Sequence, residues 1–292
     1  MTTLLLAMLA VAFAGPVPAV MARQPLLRRT PRAAMVLWQS VALAAVLAAL
    51  GAGLSLTTSN ALEDDHRPWE IAVATVALLL TVLVLGRLLL SGHRVGTELR
   101  ELRSRHRALV DLLARPDTTD LRVLDDAVPV AYCLPGVRSS RVVVSAGALG
   151  RLGDREVEAV LAHERAHLRA RHDLVLEAFG VLHHAYPRWV SSRTALAEVR
   201  LLVEVLADAA SARSVGRRVL AGALVQLADG RAPGADRGVA LGSGGDDVLV
   251  RVRLLGDADL HRAQATLLVA LAIAVLVLPT GFVVTPWLTG LA

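Results

Sequence analysis

Hydrophobic residues are distributed along this chain in long apolar stretches that flank one extended polar region. Four apolar stretches can be distinguished, at about residues 4–20, 33–54, 71–90 and from 263 towards the C-terminus at 292. A helix needs roughly 20 apolar residues to cross a bilayer, and only the first stretch is shorter than that. The pattern therefore predicts four transmembrane helices, three within residues 1–91 and one within residues 263–292.

The polar region, residues 92–262, is long enough for one domain of ordinary size. Two short β-rich runs, at 129–134 and 141–145, are separated by a Pro-Gly pair, which predicts a β-hairpin. Helical periodicity dominates afterwards, and a Gly-rich stretch at 230–247 predicts a flexible linker. The sequence thus predicts a mainly α membrane protein with an α+β domain between its third and fourth transmembrane helices.

A helical pattern at residues 97–113 opens the polar region, with leucines along one face and arginines away from it. The leucines of this stripe are Leu99, Leu102, Leu109 and Leu113. Two interpretations weigh equally. Such a helix can lie on the inner leaflet of the membrane, and the same stripe can instead pack onto the domain.

The amino-acid composition also indicates membrane helices. The hydrophobic fraction of 54% exceeds the roughly 45–50% of soluble domains, and aromatic residues make up only 3%, so the excess is aliphatic, as in lipid-facing helices. All 31 basic residues are arginine, and the 26 acidic residues are interspersed with them. A nucleic-acid binder would instead cluster basic and aromatic side chains, so we expect no direct nucleic-acid partner. The single cysteine, Cys133, excludes an internal disulfide.

The charges between the apolar stretches predict how the chain is oriented in an inner or plasma membrane. Three arginines lie between residues 23 and 29, and arginine-rich loops prefer the cytoplasmic side. The loop at 57–70 carries four acidic residues against one arginine, as an outer loop would. We therefore expect both termini outside and the polar region in the cytoplasm. The AFAG sequence at 12–15 resembles a signal-peptidase site, but removal of the first stretch would leave the arginine loop outside, so we expect it to be retained.

Residues 163–167 read HERAH, an HExxH motif within a helical pattern at 155–171. Because a helix turns once every 3.6 residues, His163 and His167 lie on one face, where both can bind one zinc ion. Glu164, beside the first histidine, can act on a water molecule at the metal as a general base. We therefore expect one zinc ion per chain in a metallopeptidase, rather than a structural pair of histidines.

Catalytic zinc usually has three protein ligands and one open position, so a third ligand has to be found. His172 would give HExxHxxxxH, which lacks the glycine and the spacing of the HExxHxxGxxH pattern. His183 and His184 follow on an apolar stretch, as core or surface histidines do. Glu204 lies in a second helical pattern, with Asp208 one turn later and placed to hydrogen-bond a ligand imidazole. We choose Glu204 as the third ligand.

Two strings carry a resemblance to a known group. They are RVVVSAGALGRLGDREVEAVLAHERAHLRARHD at residues 141–173 and RLLVEVLADAAS at residues 200–211. They resemble the BlaR/MecR-type membrane metallopeptidases and, more distantly, the HtpX and CAAX prenyl endopeptidase group, which share HExxH with a downstream ExxAD. The likeness covers about residues 128–220, and three helices before the domain with one after it are similar to the BlaR/MecR-type layout.

The resemblance implies a zincin-like metallopeptidase domain of the gluzincin type. By that likeness the zinc ligands are His163, His167 and Glu204, the general base is Glu164, and Asp208 orients a ligand histidine. It also implies signal transduction by an antirepressor, which cuts a cytoplasmic protein such as a BlaI/MecI-like transcriptional repressor. An extended substrate would dock on the strand at 141–145 if that strand is an exposed edge.

The sequence departs from the β-lactam receptors of this group in one respect. Those receptors carry an extracellular penicillin-binding domain after the last helix, whereas this sequence contains no lysine and hence no Ser-x-x-Lys acylation site. We therefore expect no β-lactam sensing through such a domain. Two alternative functions stay open: a membrane quality-control peptidase of the HtpX or CAAX-protease kind, and a non-catalytic membrane signalling scaffold, against which the intact Glu164 argues.

Overall fold

The computed structural model describes residues 2–61, 67–136, 140–185, 193–230, 245–257 and 261–290. The chain divides into two compact units, which we name the apolar unit and the α+β unit. The apolar unit comprises residues 1–95, 178–199 and 261–292, and the α+β unit comprises residues 96–177 and 200–260. The acidic residues 63–65 of the predicted outer loop, and most of the Gly-rich stretch, lie outside the described residues.

Helices account for most of the described chain. In chain order they are α1 (Thr2–Ala14), α2 (Pro16–Met21), α3 (Pro31–Ala61), α4 (Pro68–Leu113), α5 (Ala146–Arg151), α6 (Asp154–Arg169), α7 (His172–Ala185), α8 (Arg193–Val215), α9 (Arg217–Asp229), α10 (Gly245–Gly256) and α11 (Arg262–Gly290). A short 3-10 helix covers Pro25–Arg29. The strands are β1 (Arg115–Pro116), β2 (Leu121–Leu124), β3 (Ala131–Leu134) and β4 (Arg141–Ser145).

Each of the four apolar stretches is helical, which confirms that part of the prediction. Within the described residues, four helical segments are long and apolar enough to cross a membrane: Thr2–Met21, Pro31–Thr57, Pro68–Leu113 and Arg262–Thr285. The first of them is interrupted between α1 and α2 at Gly15, because Pro16 disfavours a helical conformation of the residue before it. That these helices cross the membrane, and in which direction, stays a prediction.

Small side chains allow close packing of the helices in the apolar unit. Helix α3 packs against both α1 and α11, and its Ala44 and Ala48 are fully buried. A Cβ atom on Gly51 would lie 2.5 Å from Cγ2 of Val283, so a larger residue would require this contact to shift. Small residues at such positions let helix backbones approach one another where no hydrophobic driving force is available.

One buried ion pair also belongs to the apolar unit. Arg28 of the 3-10 helix donates from Nε to Oε1 of Glu198 at 2.8 Å and from Nη2 to Oε2 at 2.7 Å. The Glu198 side chain, near the start of α8, is only 5% exposed. A buried carboxylate needs such a partner, and a bidentate arginine is well suited because its planar fork matches the two oxygens.

The α+β unit contains a four-stranded sheet in the order β1-β2-β4-β3. Strands β3 and β4 pair antiparallel, which confirms the predicted hairpin, whereas β2 pairs parallel with β4. The sequence did not predict β1 or β2. A substrate was expected to dock on β4 only if β4 is an exposed edge. This condition is not met, because β2 and β3 flank β4 on both sides. The open edge on that side of the sheet is β3.

Helix α6 packs on this sheet and against α9. Val142 and Val144 of β4, with Val160 of α6 and Leu227 of α9, belong to one buried hydrophobic cluster. At its N-terminus α6 is capped by Glu156, whose Oε2 accepts a hydrogen bond from the Gly153 backbone N–H at 3.0 Å. The helix that carries the HExxH motif is therefore fixed at its start and along one face.

Three leucines of the stripe on α4, Leu102, Leu109 and Leu113, are exposed and do not pack onto the α+β unit, whereas Leu99 is half-buried. The residues that do pack in this unit are Val110 near the end of α4 and Ala114 directly after the helix, which are buried with Leu134 and Val143. Leu102 and Leu109 are 63% and 57% exposed. Packing of the stripe onto the domain is therefore wrong for these leucines, while its placement on the inner leaflet stays a prediction.

Candidate metal centre

Helix α6 brings the two histidines of the HExxH motif together. Nε2 of His163 and Nε2 of His167 lie 3.1 Å apart, and His163 is buried. Two nitrogens bound to one tetrahedral zinc at about 2.0–2.1 Å would lie roughly 3.3 Å apart. The pair is therefore arranged so that both nitrogens can bind the same ion.

Helix α8 supplies a carboxylate to the same point. Oε2 of Glu204 lies 3.4 Å from Nε2 of His163, and its Oε1 lies 3.6 Å from Nε2 of His167. Ligand atoms of these three residues all fall within 4.8 Å of one another, the one such group found within the described residues. Two imidazole nitrogens and one carboxylate oxygen are ligands that fit zinc and leave a fourth position open.

Asp208 fixes the orientation of the first histidine. Its Oδ1 lies 3.0 Å from Nδ1 of His163, and the Asp208 side chain is only 1% exposed. Because Nδ1 faces this carboxylate, a proton belongs on Nδ1, and Nε2 is the nitrogen that can bind a metal. Asp208 thus lies beside the imidazole of the first motif histidine. That it orients a zinc ligand stays a prediction.

Arg251 on α10 holds both carboxylates, and it is a site residue that the sequence did not predict. It donates from Nε to Oδ2 of Asp208 at 2.7 Å and from Nη2 to Oδ1 at 2.6 Å. Its Nη1 lies 3.1 Å from Oε2 of Glu204. The only signal in the sequence is an arginine on the apolar face that α10 forms with Val248, Val252 and Leu255. A charge on such a face indicates a buried partner.

The charges around this point suit a divalent cation. Burial by itself would raise the pKa of Glu204, but its hydrogen bond to His163 and the charges of His163 and Arg251 lower it to about 2. Burial would lower the pKa of His163, but Asp208 and Glu204 raise it to about 10. Burial and the charge of His163 lower the pKa of His167 to about 3. The carboxylates are therefore ionised. Their negative charge favours a proton on Nε2 of His163, and a metal ion can replace that proton.

Glu164 lies in a different environment from Glu204. Burial raises the pKa of the Glu164 carboxyl, and the charge of Glu204 adds to this rise, while the charge of His163 opposes it. The Cys133 thiol of β3 lies beside Glu164, and burial together with the charge of Glu164 raises the pKa of that thiol so that it stays protonated. A carboxyl with a raised pKa, next to a metal centre, is suited to accept a proton and return it.

The other histidines weighed as ligands are not part of this group. Nδ1 of His172 lies 3.1 Å from Nδ1 of His167, on the side of that ring opposite to Nε2. His183 and His184 belong to the apolar unit, where Nδ1 of His184 lies 2.7 Å from the carbonyl oxygen of Gly180. Among the described residues, Glu204 is therefore the third side chain that meets the two motif histidines.

Comparison with known proteins gives one match. Residues 97–186 match the model of peptidase family M48, a segment that includes the HExxH motif and ends before Glu204. No curated protein and no solved structure matches the chain. The family match supports a metallopeptidase, and it does not distinguish the BlaR/MecR-type group.

Proposed function

We propose that this chain is an integral-membrane zinc metalloendopeptidase that hydrolyses peptide bonds in a cytoplasmic protein. The observation that carries this proposal is the meeting of His163, His167 and Glu204 at one buried point, with Glu164 next to His163 on the same helix. Helix α6 and helix α8 supply these side chains, and Asp208 and Arg251 fix two of them. The match to the model of peptidase family M48 supports the same class of reaction.

Zinc bound by these three ligands would polarise a peptide carbonyl and lower the pKa of a water molecule. The remaining chemistry belongs to Glu164. Its carboxylate accepts the proton of the attacking water and then gives it to the leaving amine, so one group serves both as base and as acid. The raised pKa of Glu164, caused by burial, makes its carboxylate a stronger base and favours the first transfer.

Strand β3 is the element best suited to hold an extended substrate. The Ser145 backbone N–H donates to the Val130 carbonyl at 2.9 Å, and hydrogen-bonded pairs alternate along an antiparallel ladder. By this alternation, Tyr132 bonds to β4, while the backbone groups of Ala131 and Cys133 face the open edge. A peptide paired with that edge would pass the Cys133 side chain, which contacts Glu164.

The setting of the site favours a regulatory role at the membrane. The four apolar helices suit a multi-pass protein, and the arginines before α3 favour a cytoplasmic α+β unit by the preference of arginine-rich loops for that side. A soluble regulator such as a BlaI/MecI-like repressor would then be within reach of the site. The resemblance of residues 141–173 and 200–211 to the BlaR/MecR-type group supports this substrate over membrane quality control.

The proposal is tested on membrane vesicles prepared from cells that make the protein. Inverted and right-side-out vesicles are incubated with cytosolic extract of the organism, and new protein N-termini are identified by mass spectrometry. We expect new N-termini in one or a few proteins, only with inverted vesicles, and none with vesicles that carry His163→Ala.

Three other outcomes of the vesicle experiment would each contradict a part of the proposal. Cleavage of many proteins would contradict the regulatory role and favour a membrane quality-control peptidase. Cleavage only with right-side-out vesicles would place the site on the opposite side of the membrane. Identical N-termini with wild-type and His163→Ala vesicles would contradict a peptidase and favour the scaffold.

A further inference from the structure

His172 is a buried histidine that the proposed reaction does not use. Only two residues, Ala170 and Arg171, separate the end of α6 from His172 at the start of α7. Arg171 adopts a left-handed conformation with φ 51°, which reverses the chain and brings His172 back against α6. His172 is 6% exposed, and its ring meets that of His167 edge to face, with centroids 4.9 Å apart.

The contact between the two rings determines where their protons lie. Nδ1 of His172 is 3.1 Å from Nδ1 of His167, and a hydrogen bond between two imidazole nitrogens needs one N–H and one lone pair. Nε2 of His167 faces His163 and Glu204, so in the zinc-bound centre Nε2 provides the lone pair and Nδ1 carries the hydrogen. Nδ1 of His172 then accepts, and the His172 ring is neutral with its hydrogen on Nε2.

We propose that His172 is a positioning residue, which orients His167 as a zinc ligand without adding charge to the metal centre. This inference rests on the proposed zinc peptidase. His163 and His167 are thereby held in different ways, the first by the carboxylate of Asp208 and the second by a neutral imidazole. Both arrangements fix the ligand tautomer, which is the function of the groups that surround metal-binding histidines.

The charges at the site explain why a neutral partner of His167 is favourable. The carboxylates of Glu164, Glu204 and Asp208 face one guanidinium, that of Arg251. A divalent ion balances the remaining negative charge. A fourth carboxylate at position 172 would leave the centre negative, and a negative centre lowers the pKa of a water molecule less effectively. A neutral acceptor avoids this while it still holds His167.

Three variants of the detergent-solubilised protein separate these roles. His172→Ala removes the acceptor, His172→Asn keeps a neutral acceptor oxygen near the position of Nδ1, and His172→Asp keeps an acceptor but adds a charge. Zinc affinity is measured by chelator competition, and the visible absorption spectrum of the cobalt(II)-substituted protein reports the ligand geometry. Neither readout depends on peptidase activity.

We expect His172→Ala to weaken zinc binding by about 10- to 100-fold and to change the cobalt spectrum, and His172→Asn to recover most of both. We expect His172→Asp to retain zinc but to move the acidic limb of the kcat/KM profile to higher pH. Wild-type zinc affinity in His172→Ala, or equal losses in His172→Ala and His172→Asn, would overturn the role of His172 alone. Wild-type protein that binds no zinc would overturn the proposed function itself.

Discussion

Glu164→Gln is expected to abolish peptide-bond cleavage while it leaves zinc binding intact. Glutamine has nearly the same size as glutamate, but it cannot take a proton from water at neutral pH. General acid–base catalysis contributes about 10²–10⁴-fold to a rate, so we expect a loss of at least that order in kcat/KM. Cleavage of a peptide substrate and the zinc content are measured on the same preparation.

A neighbouring residue provides the matched control for this substitution. Glu158 lies on α6 as well, but it is exposed and belongs to no metal-binding group of the described residues. Glu158→Gln should therefore keep both activity and zinc. Activity of Glu164→Gln within a few-fold of wild type would exclude Glu164 as the base, and loss of zinc together with activity would show that the substitution disrupts the site instead.

Arg251→Met is expected to destabilise the metal-free protein strongly and to increase the stabilisation that zinc confers. The substitution leaves the carboxylates of Asp208 and Glu204 buried without their guanidinium partner. Breaking a buried ion pair by removal of one member costs about 3–5 kcal/mol. Zinc restores positive charge beside Glu204 and should recover part of that cost. Thermal unfolding of the detergent-solubilised protein is followed with and without zinc.

Two substitutions on α10 calibrate this result. Arg253 is exposed on the same helix, so Arg253→Met should change the free energy of unfolding by no more than about 0.5 kcal/mol. Arg251→Lys keeps the charge but loses the planar fork that bonds Asp208 twice, and it should fall between wild type and Arg251→Met. Equal unfolding temperatures of wild type and Arg251→Met, without zinc, would show that the two carboxylates do not need Arg251.

The parts of the site that lie on single helices could be predicted from the sequence. The spacing of His163 and His167 determines that they share a face of α6, because helix geometry converts four residues into one turn. The same rule relates Glu204 to Asp208 on α8. Tertiary packing brings α6 and α8 together. In the sequence, the one indication of that contact was that zinc requires a third ligand.

Arg251 could not be predicted in this way. It lies 43 residues after Asp208 in the chain, and no local spacing links the two. Its position on the apolar face of α10 was the only indication, and such a face does not say which carboxylate the arginine meets. Sequence periodicity identifies a buried charge more readily than it identifies the partner.

The sheet and helix α4 show two further limits of periodicity. Strand β2 has only four residues, LRVL, and pairs in parallel with β4, so its partner is not its neighbour in sequence and no turn residues mark the pairing. In α4 the leucines form the more conspicuous apolar face, yet the residues that pack in the α+β unit are the smaller Val110 and, directly after the helix, Ala114. Periodicity predicted the helix correctly but did not predict which of its faces is buried.

Zinc content of the purified, detergent-solubilised protein tests the central claim most directly, with His167→Ala measured beside wild type. The three side chains that meet at one point, His163, His167 and Glu204, predict about one zinc per chain in wild type and a large loss in the variant, which lacks one of the ligands. Wild-type protein without zinc, or a variant that keeps the same zinc content, would contradict the assignment of this metal centre.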